Sequence, residues 1–293
     1  AEKEQGKMFK SIFLLAPLVD SIVSEKRIQY RDRLNISIEV DLAQSYGLFA
    51  EVNTMDLKRV ISNLINNSCE AFNSATGGTI NVAIRNYRDK VGLIVADNGQ
   101  GIPESIMAKL GQQGVTHGKE GTASGSGLGI YHAKKTITGL GGEFQIASKP
   151  GMGTIITITF PKSLPPKWFV TELQLPPHSQ IVALDDDQAI HNLWNGRFQS
   201  ARAQDQQIQL TSYTSAENLI KDNPDASLYL MDYELLGQQL TGLDVIEKMG
   251  ISSKSILVTS RYEEKHIFEK CEKLGVKLIP KNMAAFVPIT IKS

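Results

Sequence analysis

Asn63 and Asn67 stand four residues apart in Val60-Ile61-Ser62-Asn63-Leu64-Ile65-Asn66-Asn67. On a helix that spacing puts both amides on one face. Val60, Ile61, Leu64 and Ile65 are apolar, so the pair sits at the margin of the buried side. Amides there need partners, and a hydrated Mg²⁺ with phosphate oxygens would supply them. A second group is Asp97-Asn98-Gly99-Gln100-Gly101-Ile102-Pro103. Its composition is that of a turn. Asp97 is also a carboxylate that could accept from an amino group on a base, with Gly99 and Gly101 letting the backbone approach that base. Gly125-Ser126-Gly127-Leu128-Gly129 opens a helix, and N–H groups at a helix start suit phosphate oxygens. It follows a loop rather than a strand, which does not fit a dinucleotide fingerprint. Gly151-Met152-Gly153-Thr154 precedes an alternating strand and reads as a hairpin turn.

The second half of the chain carries another ordered set. Leu184-Asp185-Asp186-Asp187 and Asp232 each fall at a strand end, Thr259 ends a third strand, and Lys281 follows a fourth. Open parallel sheets bind ligands at the carboxyl ends of their strands. Several acids at such an edge repel one another unless a cation is present, and Mg²⁺ suits hard oxygen ligands. A hydroxyl and an ammonium there could stabilise a phosphoryl group. An acidic run alone is an ordinary solvated loop; the four positions in order point to a site.

The elements that must hold these residues follow from periodicity. Residues 7–33 show helical spacing (Phe9, Ile12, Phe13, Leu15, Val19, Ile22, Val23), and 34–42 alternate as a strand. A helix is predicted at 54–73, a hairpin at 79–87 and 90–97, a helix at 127–138, and strands near 143–148 and 154–160. Pro161, Pro165, Pro166, Pro176 and Pro177 mark an extended connector. Beyond it strands and helices alternate, which predicts a doubly wound parallel sheet. The 293 residues suggest two domains, and 41% hydrophobic content suffices for real cores. Lys+Arg and Asp+Glu are both 31, which removes the usual signal for nucleic acid. Cys69 and Cys271 lack metal-like spacing and read as reduced, cytosolic thiols. No apolar run spans a bilayer and no signal peptide is evident; the opening without Met suggests a fragment or processed chain.

The four elements of the first half together resemble the histidine-kinase branch of the gyrase, Hsp90 and MutL-type ATPase superfamily, over about residues 34–161. The resemblance implies an α/β sandwich with a mixed sheet and a helical layer, binding ATP or ADP under a lid at about 104–124. It assigns Asn67 to Mg²⁺ and Asp97 to adenine. Asn63, Gly99, Gly101, Gly125, Gly127, Leu128, Gly129 and Thr154 complete the nucleotide site. Asn63 stands where hydrolytic relatives carry a Glu that activates water. An amide cannot take that proton, which favours phosphoryl transfer to a protein group. Glu70 replaces the Lys that many such kinases carry three residues after the metal-binding Asn. Lys119 or Lys134 must then meet the phosphate charge. The lid has Leu110, Val115, Thr116, His117 and Lys119 in place of the usual Phe cluster. His117, His132, His178, His191 and His266 do not fit an acceptor motif. The acceptor His is therefore expected upstream of residue 1, with 1–33 as the end of a dimerisation helix and its connector.

Residues 180–293 resemble the receiver domains of response regulators. The resemblance makes Asp232 the phosphoacceptor, Asp185 and Asp186 metal ligands beside it, and Thr259 and Lys281 the phosphate-sensing pair. Pro280-Lys281-Asn282 replaces the expected Lys-Pro, Leu278 replaces the switch aromatic, and the last helix is curtailed. The whole then reads as an ATP-binding domain at 34–162, a Pro-rich linker at 163–179 and a (βα)5 receiver-like domain. It would be the cytoplasmic part of a hybrid sensor histidine kinase in two-component signalling, from a protein that can be membrane-anchored. Expected partners are the upstream phosphotransfer helix, a second copy, and a response regulator or phosphotransfer protein, with no nucleic acid. The rivals are a silent scaffold whose pseudo-receiver binds a partner, and a hydrolytic ATPase of the gyrase type.

Overall fold

The computed structural model describes residues 10–33, 35–72, 77–107, 128–201 and 208–292. The chain divides between Leu164 and Pro165 into two units. The first contains β1 (Ser11–Leu14), α1 (Leu15–Gln29), β2 (Ile36–Asp41), β3 (Phe49–Val52), α2 (Thr54–Glu70), β4 (Gly78–Asn86), β5 (Lys90–Asp97), α3 (Glu104–Met107), α4 (Leu128–Gly139), β6 (Glu143–Lys149) and β7 (Gly153–Pro161). A five-stranded sheet runs β2-β4-β5-β7-β6, parallel at β2–β4 and antiparallel elsewhere. Helices α1, α2 and α4 pack together and against this sheet. Their apolar stripes, among them Val19, Ile22, Leu57, Leu64, Ala133 and Ile137, bury with Ile80, Val82, Leu93, Ile158 and Phe160. This is the α/β architecture expected of the ATPase-type domain. Helix α2 is started by Asn53, whose side chain accepts from the Asp56 N–H at 3.0 Å.

Residues 10–33 depart from the expected continuous helix. Ser11–Leu14 is a strand paired antiparallel with Phe49–Val52. Pro17 helps explain the boundary: its ring is tolerated in the first turn of α1 but would clash with the carbonyl of residue 13 in a helix begun earlier. Leu15, Ala16, Val19, Ile22 and Val23 are buried, and α1 packs on α2. Within the described residues this segment is thus a strand and a helix packed as a layer of the first unit, in place of the one continuous helix expected.

The second unit contains β8 (Leu173–Leu175), β9 (Gln180–Leu184), α5 (Gln188–Ala201), β10 (Gln209–Tyr213), α6 (Ala216–Asp222), β11 (Leu228–Asp232), α7 (Gly242–Met249), β12 (Ser255–Thr259), α8 (Lys265–Leu274), β13 (Lys277–Pro280), a 3-10 turn at Lys281–Phe286 and β14 (Ile289–Ile291). Its main sheet is parallel throughout, in the order β10-β9-β11-β12-β13. Counted within the sheet this is 2-1-3-4-5, the order of flavodoxin-like doubly wound folds. Helix α7 opens with a capping box in which Thr241 and Asp244 satisfy each other's backbone N–H. The end of the unit is a 3-10 turn and a strand, in keeping with the curtailed last helix.

The Pro-rich stretch is more than a linker. Phe169, Val170, Leu173 and Leu175 are buried, and β8 pairs in parallel with β14. The prolines interrupt the periodicity that would have revealed these apolar positions. Among the described residues no helix is long and apolar enough to cross a membrane.

Candidate functional site

In the first unit, β5 ends at Asp97, flanked in register by Ile80 on β4 and Thr154 on β7. The Asp97 carboxylate is oriented from two sides. Ser68 on α2 donates from Oγ to Oδ2 at 2.9 Å, and the Gly99 N–H donates to Oδ1 at 3.0 Å. Gly101 has φ +68, and a Cβ there would lie 2.1 Å from the Lys149 carbonyl oxygen. Gly153 has φ +86, and a Cβ would lie 1.9 Å from the Asp97 carbonyl oxygen. Only glycine meets both demands, so the loops after β5 and before β7 close tightly beside the carboxylate. Thr154 is buried, with Oγ1 2.9 Å from Ser148 Oγ; Ser148 in turn accepts from the Ile102 N–H at 2.9 Å.

Asn67 reaches the start of α4: a Cβ on Gly129 would sit 3.4 Å from Asn67 Nδ2. The side-chain amide and the N-terminal turn of a helix therefore adjoin, offering a metal-ligating oxygen beside backbone N–H groups suited to phosphate. Asn63 is half-buried one turn earlier on α2, and Glu70 is exposed at its end. Lys134 is exposed on α4. Lys119, Gly125, Gly127 and most of the expected lid lie outside the described residues, as does the Leu128 side chain; the Leu128 backbone begins α4.

Two side chains escaped sequence reasoning here. Ser68 carries no pattern of its own in a helix. Asn66, next to the chemically suggestive Asn67, has a structural role: its Oδ1 accepts from the buried Lys26 ammonium at 2.7 Å and from the Tyr30 hydroxyl at 3.1 Å. Burial lowers the Lys26 pKa. Cys69 and Cys271 are both buried free thiols, each pushed up to about 11 by burial.

In the second unit the carboxyl edge of the sheet gathers the other predicted residues. Lys281 Nζ lies 2.6 Å from Asp232 Oδ2 and 2.8 Å from Asp185 Oδ2. Ligand oxygens of Asp185, Asp186 and Asp232 lie within 4.8 Å of one another. Asp185, Asp232 and Thr259 are buried. Thr259 pairs in register with Pro280, the residue before Lys281. Its Oγ1 accepts from the Arg261 N–H at 3.0 Å. Burial pushes the Asp232 carboxyl up to about 6, with the Asp185 charge adding to the rise and Lys281 opposing it. Burial works to lower the Lys281 pKa, but hydrogen bonds and charge from Asp185 and Asp232 outweigh it, so the ammonium is held charged. One ammonium does not balance three carboxylates. The all-oxygen donor set and this excess negative charge fit a hard divalent cation.

His191 was unanticipated: its Nε2 lies 2.7 Å from the Asp185 carbonyl oxygen, steadying the acidic loop from α5. Gly242 is required where it stands, since a Cβ would lie 1.9 Å from the Asp232 carbonyl oxygen.

Residues 52–164 match the family described as histidine kinase-, DNA gyrase B- and HSP90-like ATPase. The chain is 30% identical over 126 residues to the alginate biosynthesis sensor protein KinB of Pseudomonas aeruginosa, covering 43% of this chain and 20% of that protein. It is 35% identical over 106 residues to sporulation kinase A of Bacillus subtilis (strain 168), covering 36% of this chain and 16% of that protein. Among solved structures, the catalytic domain of histidine kinase ThkA is similar at 25% identity and a TM-score of 0.43, over 52% of this chain and 97% of that one. The chain thus corresponds to a fifth or less of the length of these two curated relatives. The first unit contains a nucleotide-binding domain of the histidine-kinase ATPase type.

Proposed function

We propose that this chain is the catalytic and receiver portion of a hybrid sensor histidine kinase. It binds Mg²⁺-ATP in the first unit and transfers the γ-phosphoryl group to a histidine on a helix preceding residue 1. The meeting of Asn67 with the first turn of α4 carries this reading. Asn67 coordinates Mg²⁺, Asp97 accepts from the adenine amino group, and Thr154 borders the adenine end. Lys134 or Lys119 supplies the cation that Glu70 does not. In the second unit Asp232 is the phosphoacceptor. Asp185 and Asp186 share a Mg²⁺ with it, and Thr259 and Lys281 bind the transferred group. The full protein is a homodimer that hands its phosphoryl group to a response regulator or phosphotransfer protein.

Transfer rather than hydrolysis follows from Asn63, whose amide has no basic site for a proton from water. Asn63→Glu is therefore expected to raise steady-state ATP hydrolysis by about tenfold or more, toward the usual contribution of a positioned general base. Phosphate release by the native chain should be slow. Rapid release by the native chain, eliminated by Asn67→Ala, would instead favour a gyrase-type hydrolytic ATPase.

A further inference from the structure

The second unit's sheet would end at β13, and an open strand edge is normally covered. Here the cover is the chain's own connector. The Leu278 N–H donates to the Trp168 carbonyl at 2.8 Å, and the Val170 N–H donates to the Leu278 carbonyl at 3.1 Å. Phe169 thereby pairs in parallel with Leu278. The Trp168 ring stacks on Tyr262 at 6.2 Å and meets the edge of Phe268 at 6.1 Å. Burial raises the Tyr262 hydroxyl pKa.

The position of this strap matters more than its packing. Its hydrogen bonds fall on Leu278, three residues before Lys281. The ring it stacks on, Tyr262, lies three residues after Thr259. Lys281 bridges Asp232 and Asp185, and the Thr259 hydroxyl oxygen receives the Arg261 N–H. Both neighbours of the acidic pocket are thus joined to 168–170 by short, well-packed stretches of backbone. The strap also begins just past the junction of the two units.

We propose that 168–170 is the output element of the second unit, and that a phosphoryl-like anion bound at Asp232 loosens it from β13 and Tyr262. This rests on the reading of Asp232 as phosphoacceptor. An anion at Asp232 recruits the Lys281 ammonium and the Thr259 hydroxyl. Drawing the Thr259 oxygen toward the anion takes the acceptor from the Arg261 N–H, and the turn bearing Tyr262 must readjust. Tyr262 then moves from under Trp168, while the shift of Lys281 pulls on β13 and weakens its bonds at Leu278. The connector, in place of the missing last helix, carries the change toward the rest of the chain.

The test uses the intact chain with Mg²⁺ and beryllofluoride. Fluorine NMR reports whether the anion is bound, and hydrogen exchange reports the Leu278 and Val170 amides. The expected result is a bound-fluoride signal that Asp232→Asn removes, together with exchange of those two amides accelerated about tenfold or more. Coupling is reciprocal, so Trp168→Ala should bind beryllofluoride about threefold or more tightly. Trp168→Phe should move affinity in the same direction by less, and serves alone if the Ala variant does not fold. Bound fluoride with unchanged exchange and unchanged affinity in the Trp168 variants overturns the strap and leaves the Asp232 site standing. No bound fluoride in the native chain overturns the Asp232 reading and the strap with it.

Discussion

Asp97→Ala is expected to abolish most of the rise in melting temperature that Mg²⁺-ATP or ADP confers on the intact chain. A ligand at one hundred times its Kd stabilises the native state by about 2.7 kcal/mol. A hydrogen bond to a charged group contributes about 1.5–3 kcal/mol, or roughly tenfold to more than a hundredfold in affinity. The Asp97 carboxylate accepts from the Ser68 hydroxyl and the Gly99 N–H, which fix its orientation. Its removal also leaves those donors without their acceptor, so the unliganded variant should melt somewhat lower. The ligand-induced shift, measured against each variant's own baseline, separates the two effects. A full shift in the variant would remove Asp97 from the site.

Asp232→Asn should block acyl phosphate formation from a small phosphodonor and Mg²⁺ while leaving nucleotide binding in the first unit intact. The same substitution carries a pH signature. The native Asp232 carboxyl is raised from 3.8 to about 6. Its favourable contribution is fully present below the unfolded value and is lost as pH rises through the folded one. At pH 7.5 the ionised, buried group therefore lowers the stability of the metal-free protein. Lys281 keeps Asp185 as a partner in the variant, so metal-free Asp232→Asn should be the more stable protein at pH 7.5. The gain should disappear below about pH 3.8, where Asp232 is protonated in both states. Mg²⁺ should narrow the gap at neutral pH by stabilising the native carboxylate. Mass spectrometry decides the chemical part: an acyl phosphate on another residue would reassign the acceptor. No label under conditions that modify an ordinary receiver would leave a pseudo-receiver that binds a partner without phosphorylation.

Much of this architecture was legible because its elements are strongly periodic. Helix α2 shows its buried face through Leu57, Val60, Ile61, Leu64 and Ile65, and in the β4–β5 hairpin buried apolar residues recur at every second position, at Ile80, Val82 and Ile84 and at Val91, Leu93 and Val95. The order of the motifs also announced which side chains should converge. Asp97 and Thr154 are remote in sequence yet direct neighbours across β5 and β7. Asp185, Asp232 and Lys281 come from three strand ends and meet within hydrogen-bond distance.

What remained hidden depended on tertiary pairing. Ser11–Leu14 can read as one face of a helix, and its partner Phe49–Val52 is what makes it a strand. The three residues of β8 are too few for a period, and their partner lies at the far end of the unit in β14. The hydrogen bond from Ser68 reaches the Asp97 side chain 29 residues away, and that between His191 and the Asp185 carbonyl reaches irregular backbone. Neither residue type has a spacing rule that foretells such a contact. Asn66, Asn67 and Asn63 look alike in sequence; only Lys26 and Tyr30 show that Asn66 ties α1 to α2.

Transfer of the γ-phosphoryl group to histidine is the step that the proposed kinase activity requires. It is tested most directly by supplying the intact chain with a histidine-bearing dimerisation helix, fused ahead of it or added in trans, together with γ-labelled ATP and Mg²⁺. Acid-labile, base-stable label is expected on a histidine of that helix, lost in Asn67→Ala and in Asp97→Ala. Label absent from histidine, with rapid appearance of free phosphate that depends on Asn67, would contradict it.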